Sequence, residues 1–199
     1  MIRDIGIRPI IFSVNCYIAT ILTMFVAFSL DLKSPGWAMT TVYLTSQPLP
    51  KGHGRGVSLQ YVFGSYLAEV AEVEVSKDGD VRVRRVVCAM DCGTVVNPNT
   101  VEAQLMSGIT FGATAALYGE ITLKNGRVEQ TNFDTYQMIR MNEAPAIEVH
   151  VVKSSEPPGG MGETGTSGVV PAIANAIFAA TGKRLRKMPV DANALKLPT

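Results

Sequence analysis

Glu163 stands in the run PPGGMGETGT, residues 157–166, a carboxylate among glycines, prolines and small polar side chains. A carboxylate can accept a proton during catalysis, and glycines let a backbone pass close to a bound group. The same position also suits a plainer role, an acidic residue at the start of the helix that follows, where unpaired backbone N–H groups favour an anion. Other chemistry-bearing residues are sparse. His53 and His150 pair with no serine or cysteine in a nucleophile–base pattern; His53 reads as a solvated loop residue and His150 as an exposed strand position. The GRG around Arg55 could approach a phosphate but lacks the spacing of a phosphate loop. Cys88 and Cys92, in CAMDC, have neither CxxC spacing nor a second pair, so they give no zinc site and read as buried thiols near a strand end. The third cysteine, Cys16, makes an odd count that does not describe a disulfide framework.

Elements must hold such a carboxylate in place, and the chain has the material for them. At 199 residues, with 47% hydrophobic and 18% charged side chains, it can bury a sizeable core in one domain or two small ones. A formal net charge of +1 offers no broad electrostatic field, which argues against a nucleic-acid partner. Residues 9–30 carry no charge and are flanked by Arg3, Arg8, Asp31 and Lys33, the length and setting of a membrane span. Their Ile, Val, Phe, Tyr and Thr content equally suits a buried β-rich segment, and SPGWAMT offers no clear signal-peptide cleavage site. Residues 31–58 read as a Pro-, Gly- and Ser-rich linker with one strand at 41–44.

Downstream, YLAEVAEVEVSKDGDVRVRRVVCAM alternates apolar and charged residues through Val73, Val75, Val81 and Val83, which predicts a β-hairpin with one buried face. Residues 100–118 change to helical spacing, with Val101, Leu105, Ile109, Gly112 and Ala116 on one stripe and Asn99 with Glu102 as a capping box. The many small residues on that helix imply close packing against a neighbour. EITLKNGRVEQ predicts a second hairpin turning at Asn125 and Gly126, and 146–152 a further strand. VVPAIANAIFAATG then predicts an apolar helix stopped by Gly182 and followed by the basic KRLRK. The order makes the fold class α+β, a mixed or antiparallel sheet with packed helices, without internal repeats.

Four stretches carry a resemblance: GRGVSLQYVFGSYLAEVAEVEV, RRVVCAMDCGTVVNPNTVEAQLMSGITFGATAALYGEITLKNGRVEQTNF, MIRMNEAPAIEVHVV, and EPPGGMGETGT continuing into VPAIANAIFAATGKRLRKMP. Collinear over residues 48–189, about seven-tenths of the chain, they resemble the C-terminal end of the large molybdenum-binding subunit of the xanthine dehydrogenase and aldehyde oxidase family, and within it the isoquinoline 1-oxidoreductase β-subunit branch. The resemblance implies that residues 48–199 form part of a molybdenum-cofactor-binding domain, with residues 1–47 outside the family. It implies a molybdenum–pterin cofactor, in the cytosine dinucleotide form, and oxidation of a small aldehyde or N-heterocycle with oxygen derived from water. Glu163 matches the glutamate of a G-x-G-E turn that takes the proton from a molybdenum-bound hydroxyl, while hydride passes to a sulfido ligand. Its basicity would be tuned between burial and a helix N-terminus. Gln104 matches a glutamine reaching the pterin or its ligands, Gly162 a glycine whose backbone lies at the metal, and Gly64 and Ser65 fall in a loop bordering the cofactor.

The pattern also departs from the family. Thr164 follows Glu163 where GEP is common, and TSG replaces a proline-rich step. Family subunits are several times longer, so the remaining N-terminal part of the subunit and a separate iron–sulfur subunit are the expected partners, and the chain is expected to be inactive alone. The abrupt join near residue 47 is expected to mark a membrane anchor, an internal start or a damaged or mis-called gene, the last favoured because the join falls at no domain boundary. A different class of reading is a non-enzymatic single-pass membrane protein, anchored through 9–30, whose α+β domain serves interaction.

Overall fold

The computed structural model describes residues 49–196. The chain divides into two compact units, Met1–Leu49 and Pro50–Thr199, and the described residues fall almost wholly in the second. The apolar stretch 9–30 and the expected strand at 41–44 lie outside them. Among the described residues no helix is long and apolar enough to cross a membrane.

Three strands form an antiparallel meander: β1 (His53–Val62), β2 (Ser65–Val75) and β3 (Val81–Asp91). The first turn is two residues long, Phe63 and Gly64, both at positive φ (55° and 78°), as a primed hairpin turn requires. The second is the predicted SKDGD turn, closed by Ser76 N–H to Asp80 O at 2.9 Å, with Val75 opposite Val81. Helix α1 (Pro98–Leu117), a short hairpin of β4 (Leu123–Lys124) and β5 (Arg127–Val128), and β6 (Ala146–Val151) follow. β6 joins β3 in parallel, giving a mixed sheet of order β1-β2-β3-β6. Helix α2 (Thr164–Thr181) and a short α3 (Ala192–Leu195) complete an α+β fold.

One face of the sheet is buried under the helices. On β2 the buried side chains Leu67, Ala71, Val73 and Val75 share one parity and meet Ile173, Ala176 and Ile177 of α2 in a single core. Gly54 and Gly56 lie opposite Val73 and Ala71. They let α2 rest on the backbone of β1: a Cβ on Gly56 would stand 2.1 Å from Ala172 O. The GRG glycines therefore serve helix–sheet contact and not a phosphate, and Arg55 between them pairs with Glu72 at 2.9 Å on the other face. That face continues the ladder through Arg85, which grips Glu148 on β6 with two bonds of 2.7 Å.

The stripe expected on α1 is buried throughout, and the neighbour implied by its small residues is α2; a Cβ on Gly112 would stand 2.5 Å from Thr166 O. Three expectations need correction. The helix begins two residues earlier than the capping box placed it: Asn97 is the cap, its side chain accepting from Asn99 and Thr100 N–H, because Pro98 is pre-set for the first helical position. His53 and residues 54–58 belong to β1, not to a linker; their glycines mark a close-packed strand. Helix α2 starts at Thr164, before the apolar run, since the small residues 164–168 fit beneath the sheet and α1. The Asn125–Gly126 turn forms with φ of 51° and 75°, and Gly182 stops α2 at φ 71°.

Candidate functional site

The loop from residue 152 to Glu163 is held along its length by three other elements. Val152 N–H donates to Met90 O at 2.8 Å where the chain leaves β6, and Thr94 N–H donates to Glu156 O at 2.9 Å. Gly159 N–H donates to Cys92 O at 2.9 Å and Gly160 N–H to Phe63 O at 2.8 Å, so the glycine pair is wedged between the ends of β3 and the β1–β2 turn. The fit leaves no room for a side chain: a Cβ on Gly159 would stand 2.3 Å from Ser65 Oγ. Gly162 differs, since a Cβ there would meet nothing within 4 Å among the described residues. Its carbonyl accepts from Gln104 Nε2 at 2.6 Å, which ties the loop to the second turn of α1.

Glu163 follows as the N-cap residue of α2, with φ −123° and no capping bond from its side chain. It is exposed, not buried. Its carbonyl accepts from Thr166 N–H at 3.1 Å and Ser167 N–H at 3.3 Å, which fixes the backbone while leaving the carboxylate free to reach outward. Beside it opens a cavity of about 490 Å³, walled by Gln104, Ser107 and Phe111 of α1 and by Gly162, Glu163, Thr166 and Ser167. Of the five candidates, Gln104, Gly162 and Glu163 thus meet at one cavity. Gly64 and Ser65 do not line it; they buttress the loop from behind, and the Ser65 hydroxyl is buried without a hydrogen-bond partner among the described residues.

The donor set suits a polar, anionic heterocycle. Gln104 retains a second N–H and its Oε1, the Ser107, Thr166 and Ser167 hydroxyls add donors and acceptors, and the start of α2 favours negative charge. The open space at Gly162 is room that such a group could fill. Among the described residues no three histidine, cysteine or carboxylate side chains cluster to hold a metal by themselves. Cys88 is buried in β3, where burial and then the neighbouring Glu69 push its thiol up; burial likewise raises Cys92. His150 is exposed on β6 as expected.

Two residues were not singled out by spacing. Gln60 on β1 donates from Nε2 to Thr164 O at 2.6 Å and accepts from Ser167 Oγ at 3.0 Å, spanning the first turn of α2. Glu69 on β2 is fully buried, both carboxylate oxygens lack a partner among the described residues, and burial raises it to about 8. It faces Gly168 of α2, where a Cβ would stand 2.2 Å from its Oε2. Parity was the available signal: Glu69 shares the alternation of Val73 and Val75 and so falls on the buried face.

A family model for the molybdopterin cofactor-binding domain matches residues 17–145, beginning upstream of the segments that carried the resemblance and ending before the Glu163 loop. Isoquinoline 1-oxidoreductase subunit beta of Brevundimonas diminuta is 34% identical over 142 residues, 70% of this chain and 18% of that protein. A membrane-bound aldehyde dehydrogenase of Gluconacetobacter polyoxogenes, named for pyrroloquinoline quinone, is 38% identical over 122 residues, 61% of this chain and 16% of that protein. Among solved structures, the Cu,Mo-CO dehydrogenase in its carbon monoxide reduced state superposes with a TM-score of 0.55 at 27% identity, covering 59% of this chain and 16% of that one. The chain thus spans about a fifth of the length of the relatives it matches.

Proposed function

The chain belongs to the molybdopterin cofactor-binding domain family, and from this premise we propose that it supplies the proton-accepting wall of a molybdenum hydroxylase active site that oxidises an aldehyde or N-heterocycle. The observation that carries the reading is the meeting of Glu163, Gly162 and Gln104 at one cavity, with Glu163 exposed and its backbone fixed on both sides. Gln104 and the backbone around Gly162 would hold the molybdenum–pterin group. When bound, that group supplies the activated oxygen and takes up the two electrons of the oxidation. A substrate C–H becomes C–OH, with the oxygen drawn from water, two protons released and two electrons passed onward. Glu163 accepts one of those protons at a carboxylate oxygen, which its exposed side chain at the start of α2 presents to the cavity. Gln104, by holding Gly162 O, fixes the residue before the base and offers its remaining N–H and Oε1 to the pterin.

Molybdopterin is the proposed cofactor because the domain family to which the chain belongs binds it, and its cytosine dinucleotide form is proposed from the likeness to the isoquinoline 1-oxidoreductase branch. With about a fifth of the relatives' length, the chain is proposed to turn over only beside the remainder of a large subunit and an iron–sulfur partner that carries electrons away. The test is co-production of the full chain with the N-terminal remainder of the Brevundimonas β subunit and its partner subunit. Molybdenum incorporation and N-heterocycle oxidation are expected, with Glu163→Gln lowering kcat about 10²- to 10⁴-fold. Undiminished turnover in Glu163→Gln would remove the base from the reading. Failure to incorporate molybdenum would remove the cofactor role.

A further inference from the structure

We propose that Gln60 is a positioning residue for Glu163, acting through the first turn of α2; the inference rests on the reading of Glu163 as the base. Gln60 lies opposite Leu67 on the helix-facing side of β1, far from Glu163 in sequence and not on the cavity wall. Its amide uses both ends on α2, donating to Thr164 O at 2.6 Å and accepting from Ser167 Oγ at 3.0 Å. Ser167 Oγ stands 3.2 Å from Thr164 O as well, so carbonyl, hydroxyl and amide close a small ring. The same turn supplies the Thr166 and Ser167 N–H groups that grip Glu163 O.

On the other side, Gln104 Nε2 holds Gly162 O at 2.6 Å. Two glutamines, one from β1 and one from α1, therefore fix the carbonyls immediately before and after Glu163. The carboxylate itself makes no capping bond, so its direction is set through the backbone these two amides hold. Loosening either side lets the base drift, and a displacement on the order of 1 Å from a reacting group can cost about 10²-fold in rate. A planar primary amide suits the task because it donates and accepts at once, and Gly168 leaves it space: a Cβ there would stand 3.1 Å from Gln60 Nε2.

The test uses Gln60→Met, which keeps length and volume but loses both bonds. In the full chain, amide hydrogen exchange at Thr166 and Ser167 is expected to quicken about tenfold or more, with Ala176 and Ile177 in the middle of α2 unchanged. In the co-produced enzyme, kcat is expected to fall about 10- to 10²-fold with KM unchanged, and adding Gln60→Met to Glu163→Gln is expected to cost little more. Unchanged exchange at Thr166 and Ser167, or exchange quickened uniformly along α2, overturns the inference. Full kcat in Gln60→Met beside a crippled Glu163→Gln overturns it while leaving the base intact. Full activity in Glu163→Gln defeats the base reading instead, and the exchange result then stands as a description of the turn alone.

Discussion

Replacing Glu69 by glutamine should change how the stability of this protein depends on pH. Glu69 is fully buried between β2 and α2, both its oxygens lack a hydrogen-bond partner among the described residues, and burial raises it from 4.5 to about 8. Between those values the folded chain keeps a proton that the unfolded chain has released, so folding takes up a proton and rising pH opposes it. The contribution is unpenalised below about 4.5, is lost progressively as pH rises towards 8, and levels off above it. At about 1.4 kcal/mol per pKa unit, the loss between pH 5 and pH 8 amounts to about 4 kcal/mol. Glutamine has nearly the same shape and no charge to desolvate. The neighbouring Cys88 thiol is itself pushed up by burial and stays neutral across this range. Urea unfolding of the full chain and of Glu69→Gln, followed by far-ultraviolet circular dichroism at pH 5, 6, 7 and 8, gives the difference directly. The variant should gain on the parent by about 1 kcal/mol or more per pH unit over this window. Parallel pH profiles would show that Glu69 finds a compensating partner or water, and the reasoning from its isolation would fail.

Two further substitutions probe the packing that positions the site. Gly56→Ala places a Cβ 2.1 Å from Ala172 O and 2.2 Å from Ala176 N, both backbone atoms that cannot step aside, so α2 must lift from β1. A loss of about 3 kcal/mol is expected, read as a lower urea midpoint with an unchanged m value. Asn97→Ala removes the side chain that accepts from Asn99 N–H at 3.1 Å and Thr100 N–H at 3.4 Å, and should cost about 1 kcal/mol, seen as a lower Tm.

Much of the framework was legible in local pattern. The β2–β3 hairpin follows from alternation around SKDGD, the α1 stripe from Val101, Leu105 and Ile109, and the stop of α2 from Gly182, because each depends on residues only a few positions apart. Strand β1 was hidden because Gly54, Arg55 and Gly56 read as loop composition, and their purpose appears only against Ala172 and Ala176 more than a hundred residues away. Asn97 does not stand out as the cap because Asn99 carries the same side chain nearer the apolar run.

By itself the sequence determined the α+β order of elements, the turns at Asn125–Gly126 and Gly182, and the candidacy of Glu163, Gln104 and Gly162 through a family likeness. Backbone preference, hydrophobic period and motif are local properties, and they survive being read along a line. Only the tertiary structure decided that Gln104 bonds Gly162 O, that Gln60 on β1 bonds Thr164 O on α2, that Gly64 and Ser65 stand behind the loop, and that the buried Glu69 carboxylate has no hydrogen-bond partner among the described residues. Each of these depends on how closely α1 and α2 approach one another and the sheet, a distance set jointly by small residues scattered across β1, α1 and α2.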